Sequence, residues 1–270
     1  MSSQASRGDD ESSGGVEAPS GGARRRRTVH RSLGLALVWL CLWLSRLELS
    51  WLPAPAELDP SWQQALGRAL VEGRQHGVDL WFTFGPLGWF DHPRHEPALF
   101  WTHLWVWQVL FRGLVASVFL LCALRWTGVL DRAAFLALLV LLPMGLDAIH
   151  LLTIAAVAAL LLERPRTPLA LQAVGLALLA AVALVKFHYL PAAFVAALAL
   201  VVAGARAGGV RRALAISALA LGSFLAVWTL AGQRPWHLPA FLARANARFL
   251  AGERALAPVS YTHLTLPTKA

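Results

Sequence analysis

Apolar residues along this chain fall into blocks, and the blocks are separated by short breaks that carry arginine, proline or glycine. A helix needs roughly 20 residues to cross a hydrocarbon core. On that measure the blocks predict seven spans, at 33–52, 99–123, 133–146, 148–162, 168–185, 190–204 and 213–231. The third, fourth and sixth are short, which fits tilted, half-buried or merged helices. Pro143, Asp147 and His150 interrupt what would otherwise be one run from Ala133 to Leu162, and a tight hairpin there explains them better than one overlong helix. The predicted fold class is all-α, a polytopic helical membrane protein of about seven transmembrane helices with amphipathic surface helices in its external loops.

Composition agrees: 57% hydrophobic and 14% charged residues, with a mean hydropathy of +0.56, exclude an ordinary soluble domain of 270 residues. The arginines set the orientation, because cytoplasmic loops keep Lys and Arg. Arg24 to Arg27 and Arg31 precede the first span, Arg125 and Arg132 separate the second and third, Arg164 and Arg166 follow the fourth, and Arg206, Arg211 and Arg212 follow the sixth. All fall on one side if the N-terminus is cytoplasmic, so the expected location is a bacterial cytoplasmic (inner) membrane, multi-pass. The net charge of +9 is then mostly topology, and no nucleic-acid partner is expected. Cys41 and Cys122 each sit inside a span, which indicates neither a disulfide framework nor a thiolate metal site.

Residues 1–31 read as a disordered, basic-ended cytoplasmic tail, rich in Ser, Gly and acids before the arginines. The apolar run after them is long and lacks a small-residue cleavage site, so an uncleaved signal anchor is expected. Residues 32–257 form the transmembrane domain, with a large external loop at 53–98. The last stretch, 258–270, matches nothing before it. Val259 to Thr268, V-S-Y-T-H-L-T-L-P-T, resembles one translated frame of a transposase library adapter. The expectation is an adapter-derived end on a truncated chain, with His263, Tyr261 and Lys269 carrying no functional argument.

The external loop opens with a helix start: Asp59 as N-cap acid and Pro60 at the first helical position. Trp62, Ala65, Leu66, Ala69 and Leu70 then recur at helical spacing, which predicts an amphipathic helix along the outer membrane surface. Next comes D-L-W-F-T-F-G-P-L-G-W-F-D, a greasy segment with a turn in it. Gly85-Pro86-Leu87-Gly88 fits a tight turn with proline second and glycine fourth. Trp81, Phe82, Phe84, Trp89 and Phe90 suit a segment folded back against membrane and helices. Beyond the seventh span, Phe241, Leu242, Ala245, Phe249 and Leu250 trace a second amphipathic helix, with Arg244 and Arg248 beside it.

A first span, then Glu57 and Asp59, a surface helix, and an aromatic Gly-Pro-Leu turn resembles the first external loop of the GT-C superfamily of integral-membrane glycosyltransferases. Gly77 to Gly88, together with Gly232, Gln233, Leu238, Pro239, Phe241 and Leu242, also resembles a group of uncharacterised bacterial multi-span proteins. Gly85-Pro86 stands where many such enzymes have His-Pro. The resemblance covers residues 33 to about 257 and implies transfer of a sugar, hexosyl or pentosyl, from a polyprenyl-phosphate donor to an acceptor at the extracytoplasmic face. Such chemistry needs a carboxylate to deprotonate the acceptor or hold a divalent cation, and cations for the lipid phosphate. Asp59 is the first candidate carboxylate, with Glu57 and Asp79 behind it; helix capping and a turn hydrogen bond are the structural alternatives. Lys186 and His188, Arg234, and the turn residues Gly85 and Pro86 are candidates for substrate binding, with snorkelling as the alternative for Lys186.

Asp147 and His150 reach the same side, and capping of short helices is favoured for them. The D-H-P-R-H-E-P cluster, with Asp91, His92, His95 and Glu96, reads as a polar loop end, because Pro93 prevents regular helical presentation of the histidines; no metal site is assigned. Trp101, Trp105 and Trp107 read as an aromatic anchor of the second span. The alternative functions are a multi-span transporter or flippase, which would use ionisable groups near the bilayer midplane, or a membrane protein without catalysis.

Overall fold

A computed structural model describes residues 21–48, 58–80, 82–91, 96–141 and 145–251, with side chains outside the description at 21–29, 58–61, 245–246 and 248–251. Glu57, Trp81, His92 and His95 lie outside the described residues, and so does the Asp59 side chain. The described residues are helical, with isolated bridges and no strand among them. In chain order they form α1 (Gly21–Leu44), α2 (Leu58–Val71), the single turn α3 (Gly88–Asp91), α4 (Pro97–Ala123), α5 (Val129–Leu141), α6 (Leu146–Glu163), α7 (Leu169–Ala183), α8 (Tyr189–Leu230) and α9 (Leu238–Ala251).

Three of these, α4, α6 and α8, are long and apolar enough to cross a membrane; His30–Leu44 and α7 are shorter apolar helices. α1 starts at Gly21, inside the segment read as an unfolded tail. Alanine and arginine are strong helix formers, and an anchored apolar helix extends through them at little cost.

α8 is two helices. Gly208 and Gly209 leave helical geometry, and Gly209 takes φ +70°, a conformation that only glycine adopts freely. A Cβ on Gly204 would lie 2.3 Å from Ile216 Cδ1. Along one continuous helix those positions would be about 18 Å apart. The chain therefore reverses at the glycine pair, and arms 189–207 and 210–230 run antiparallel, as the separate blocks at 190–204 and 213–231 predict.

The core lies where α6, α7 and α8 meet, through Val157, Leu161, Leu176, Leu179, Val182, Ala193, Ala196, Leu200 and Ile216. α4 packs on α6, and α1 runs antiparallel to α4: Trp39 Nε1 donates to Ser117 Oγ at 2.9 Å and Trp43 Nε1 to the Gln108 carbonyl at 2.8 Å. The outward faces carry exposed leucine, valine and phenylalanine, among them Leu37, Leu110, Phe194, Val195 and Leu221. Exposed apolar surface of this extent is suited to hydrocarbon.

α4 is irregular. Over His103–Phe111 its hydrogen bonds run i to i+5, a π-helical stretch of a kind frequent at functional positions. The wider turn brings His103 and Gln108 together, Nε2 to Nε2 at 2.9 Å. Trp107 is buried and stacks on Phe111 with ring centroids 4.0 Å apart, so it belongs to the core; Trp101 and Trp105 remain exposed as an anchor would be.

Candidate functional site

The greasy, broken segment packs into the hydrophobic core through Phe84, Leu87, Trp89 and Phe90. It enters the end of the helix bundle and pairs with the connection between α7 and α8. The Gly85 N–H donates to the Val185 carbonyl at 2.8 Å, the Leu87 N–H to the Leu184 carbonyl at 3.1 Å, and the Phe187 N–H to the Thr83 carbonyl at 3.0 Å. Phe84 and Lys186 face each other as an antiparallel bridge. The Gly88 N–H closes the turn on the Gly85 carbonyl at 2.9 Å, as the Gly-Pro-Leu-Gly pattern predicts. Gly85 is required by proximity: a Cβ there would lie 2.2 Å from the Leu184 carbonyl oxygen. Non-helical backbone buried in this way is tolerated because its polar groups are paired within the protein. Phe84, Leu87, Trp89, Phe90 and Asp91 are all buried.

Amphipathic α2 covers this segment with its apolar face. Leu66 and Ala69 are buried, and the Trp62 ring stacks on Phe84 at 4.5 Å and lies 5.3 Å from Phe82. Phe84 in turn lies under Lys186, whose Nζ is 4.8 Å from the ring centroid. Asp59 sits on the same helix about one turn before Trp62.

Lys186 anchors a polar cluster. Its Nζ donates to Asp147 Oδ1 at 2.7 Å, and the Tyr189 hydroxyl donates to the same carboxylate oxygen. His188 Nε2 is 3.8 Å from that oxygen. Burial, and then the neighbouring Lys186, pushes the His188 imidazole below the ordinary histidine range, against the pull of Asp147. Asp147 stands in the first turn of α6 but serves partners on other elements, so the favoured capping role is corrected: Gly145 occupies the N-cap. One turn on, buried His150 packs edge-on against the Tyr189 ring at 5.1 Å and places Nε2 3.0 Å from Asp91 Oδ1.

A second layer of ionisable groups lies beside this one. Arg112 of α4 is buried, and its guanidinium lies 3.3 Å from Glu48 Oε2. The Glu48 N–H donates to Gln108 Oε1 at 3.1 Å, which ties the end of α1 to the π-helical stretch. These residues were not singled out from the sequence. His103, Gln108 and Arg112 inside one apolar block were the available signal, since polar groups at membrane depth are costly and kept for a purpose.

The remaining candidates have other positions. Asp79 is exposed on its own loop, where its Oδ2 accepts the Gln75 N–H at 2.9 Å, the turn hydrogen bond foreseen as its alternative role. Arg234 holds its guanidinium 5.9 Å from the Trp236 ring on the exposed surface, while its backbone N–H donates to Gln75 Oε1 at 2.7 Å. Gln75 and Gln233 bind each other's loops. Gln75 Nε2 donates to the Gly232 carbonyl at 3.2 Å, and Gln233 Oε1 accepts the His76 N–H at 2.7 Å. The Phe241 ring, fully buried, fills the space between Phe187 and Trp228. The two motif segments, around Gly77–Gly88 and around Gly232–Leu242, thus meet in one assembly at the end of the bundle.

Compared with family models, curated proteins and solved structures, the chain gives no match.

Proposed function

We propose that this chain is a seven-span inner-membrane transferase with a cytoplasmic N-terminus. In this reading it takes a sugar from a polyprenyl-phosphate donor at the face where α2 covers the loop. The carrying observation is the continuous stack from Trp62 of α2 through Phe84 to Lys186 and Asp147, a half-open polar cluster against an apolar segment. That combination suits a lipid phosphate, whose chain lies in hydrocarbon while its charge meets a cation. Lys186 and His188 hold the donor phosphate, and Lys186 stabilises the charge left on the phosphate oxygen as the bond to the sugar breaks. A carboxylate takes the proton of the acceptor hydroxyl. Asp59, one turn before Trp62, is the first choice for that base, and Asp147, hydrogen-bonded to Lys186, orients the cation. The orientation is supported by the gathering of Arg125, Arg164, Arg166 and Arg212 at the opposite end, where Arg125 Nη1 lies 3.0 Å from Glu163 Oε2 and Arg212 Nε donates to the Pro165 carbonyl at 2.9 Å.

The test uses membranes holding the full chain and a panel of radiolabelled polyprenyl-phosphate sugars. Transfer is expected with at least one donor. Lys186→Gln should raise the donor KM by roughly tenfold, the loss of one charge-assisted contact, while Asp59→Asn should remove turnover and leave donor binding intact. Absence of transfer from every donor, or full activity in both variants, sinks the reading.

One observation favours a second reading, proton-coupled transport: the buried Asp91–His150 pair beside Arg112 resembles the ionisable groups that line ion pathways. In proteoliposomes, solute-driven proton movement abolished by His150→Gln would establish it.

A further inference from the structure

A second site lies at the other end of the helices. Between α4 and α7, over α6, a cleft of about 850 Å³ is walled by Val118, Leu121, Leu160, Leu171 and Val174. Its mouth carries Arg125, Arg164 and Arg166. Leu121, Leu171 and Val174 are also exposed on the outer helix faces, so the cleft opens sideways onto the surface that meets hydrocarbon.

The mouth is both charged and fixed. Arg125 is neutralised by Glu163 at 3.0 Å, whereas Arg164 and Arg166 have no carboxylate partner among the described residues. Three arginines against one glutamate leave two positive charges. The 164–168 connection that carries them is pinned by Arg212, which donates to the Pro165 carbonyl at 2.9 Å and to the Thr167 carbonyl at 2.6 Å. Thr167 Oγ1 adds a bond to the Arg164 carbonyl at 2.6 Å. A soluble anion would be matched by the arginines but not by the apolar walls, and a neutral lipid by the walls but not by the charge. We propose that the cleft seats an anionic glycerophospholipid, its phosphate on Arg164 and Arg166 and an acyl chain between α4 and α7. Basic pockets between membrane helices bind acidic headgroups by this combination. The site is separate from the transferase reading, since it lies at the opposite end of the bundle.

Native mass spectrometry and thermal unfolding of the detergent-purified full chain test this, with phosphatidylglycerol, phosphatidylcholine and inorganic phosphate as probes. Phosphatidylglycerol should stay bound and raise the Tm where phosphatidylcholine does not. Arg164→Gln combined with Arg166→Gln should weaken phosphatidylglycerol at least about tenfold and leave phosphatidylcholine unchanged. Val174→Trp, which fills the apolar part, should abolish retention without touching a charge. Arg206→Gln, at the same end but outside the cleft, should change nothing. Equal binding of the two lipids overturns the proposal, as does an unaffected arginine variant, an equal loss in Arg206→Gln, or a shift from phosphate alone as large as that from phosphatidylglycerol.

Discussion

Lys186 and Asp147, separated by 39 positions in the chain, meet at 2.7 Å and join the α7–α8 connection to the start of α6. The Lys186 side chain is 18% exposed and that of Asp147 is 54% exposed, so water screens the pair. A partly exposed ion pair contributes about 1 kcal/mol or less. A double-mutant cycle of Lys186→Met and Asp147→Asn, read by thermal unfolding in detergent, should give a coupling of that size. A coupling several times larger would assign the pair to the architecture and remove it from the candidate chemistry.

Gly85 against Leu184 is a packing constraint. Gly85→Ala would force a methyl group against a carbonyl oxygen at 2.2 Å, and overpacking of this kind costs about 1–3 kcal/mol. Gly222→Ala, inside a helix arm with nothing within 4 Å, should be neutral or stabilising by about 0.5–1 kcal/mol. Comparison of the two Tm values checks both at once.

The glutamine exchange should hold the loop in place. Gln233→Leu leaves the buried His76 N–H and the Arg74 carbonyl without the partners they have at 2.7 and 3.3 Å. A buried polar group stripped of its hydrogen bond costs about 1–3 kcal/mol. Limited proteolysis within 72–80 should speed up accordingly, and an unchanged cleavage rate would assign the loop's stability to Phe241 and Trp62 instead.

His76 makes the same loop sensitive to acid. Burial pushes its imidazole from the ordinary 6.5 down to about 4. Between those values the unfolded chain carries a proton that the folded loop does not. Stability is therefore complete above pH 6.5 and declines as the pH falls to 4, by about 3 kcal/mol in all. His76→Gln should flatten that part of the profile of Tm against pH; a slope unchanged by the substitution would place the titrating group elsewhere.

The helix reversal at Gly208–Gly209 fixes which ends share a side. Single cysteines at 127, 166 and 208, in a chain without Cys41 and Cys122, should label from one side of sealed vesicles, and cysteines at 78 and 232 from the other. Labelling of 208 together with 232 would refute the antiparallel arms.

Much of the helical framework was legible because the removal of apolar side chains from water acts on local composition. A long block of apolar residues bounded by arginine, proline or glycine favours a helix, which satisfies its backbone hydrogen bonds within the segment. The breaks at Arg125, Arg164 and Gly208–Gly209, the Gly85–Gly88 turn and the apolar face of α2 follow from the same local rules. So does the candidacy of Lys186, an ionisable residue between two apolar runs. The tail boundary near residue 31 was misplaced because helix propagation depends on its anchor and not on the composition of the extension alone.

Tertiary structure alone decided what these residues meet. Asp147 looks like a helix-capping acid by position and becomes the partner of Lys186 and Tyr189 because three helix ends converge. Asp91 looks like part of a polar loop end, yet lies buried beside His150 because the aromatic segment folds inward. Trp107 looks like an interfacial anchor and lies in the core because, two residues past the exposed Trp105, it falls on the opposite face of the helix. Asp79, chosen as a candidate carboxylate, is held in its own turn. Local pattern records how much each residue costs to remove from water. It does not record which distant group repays that cost, and in this chain the pairing across 39 and more positions makes the site.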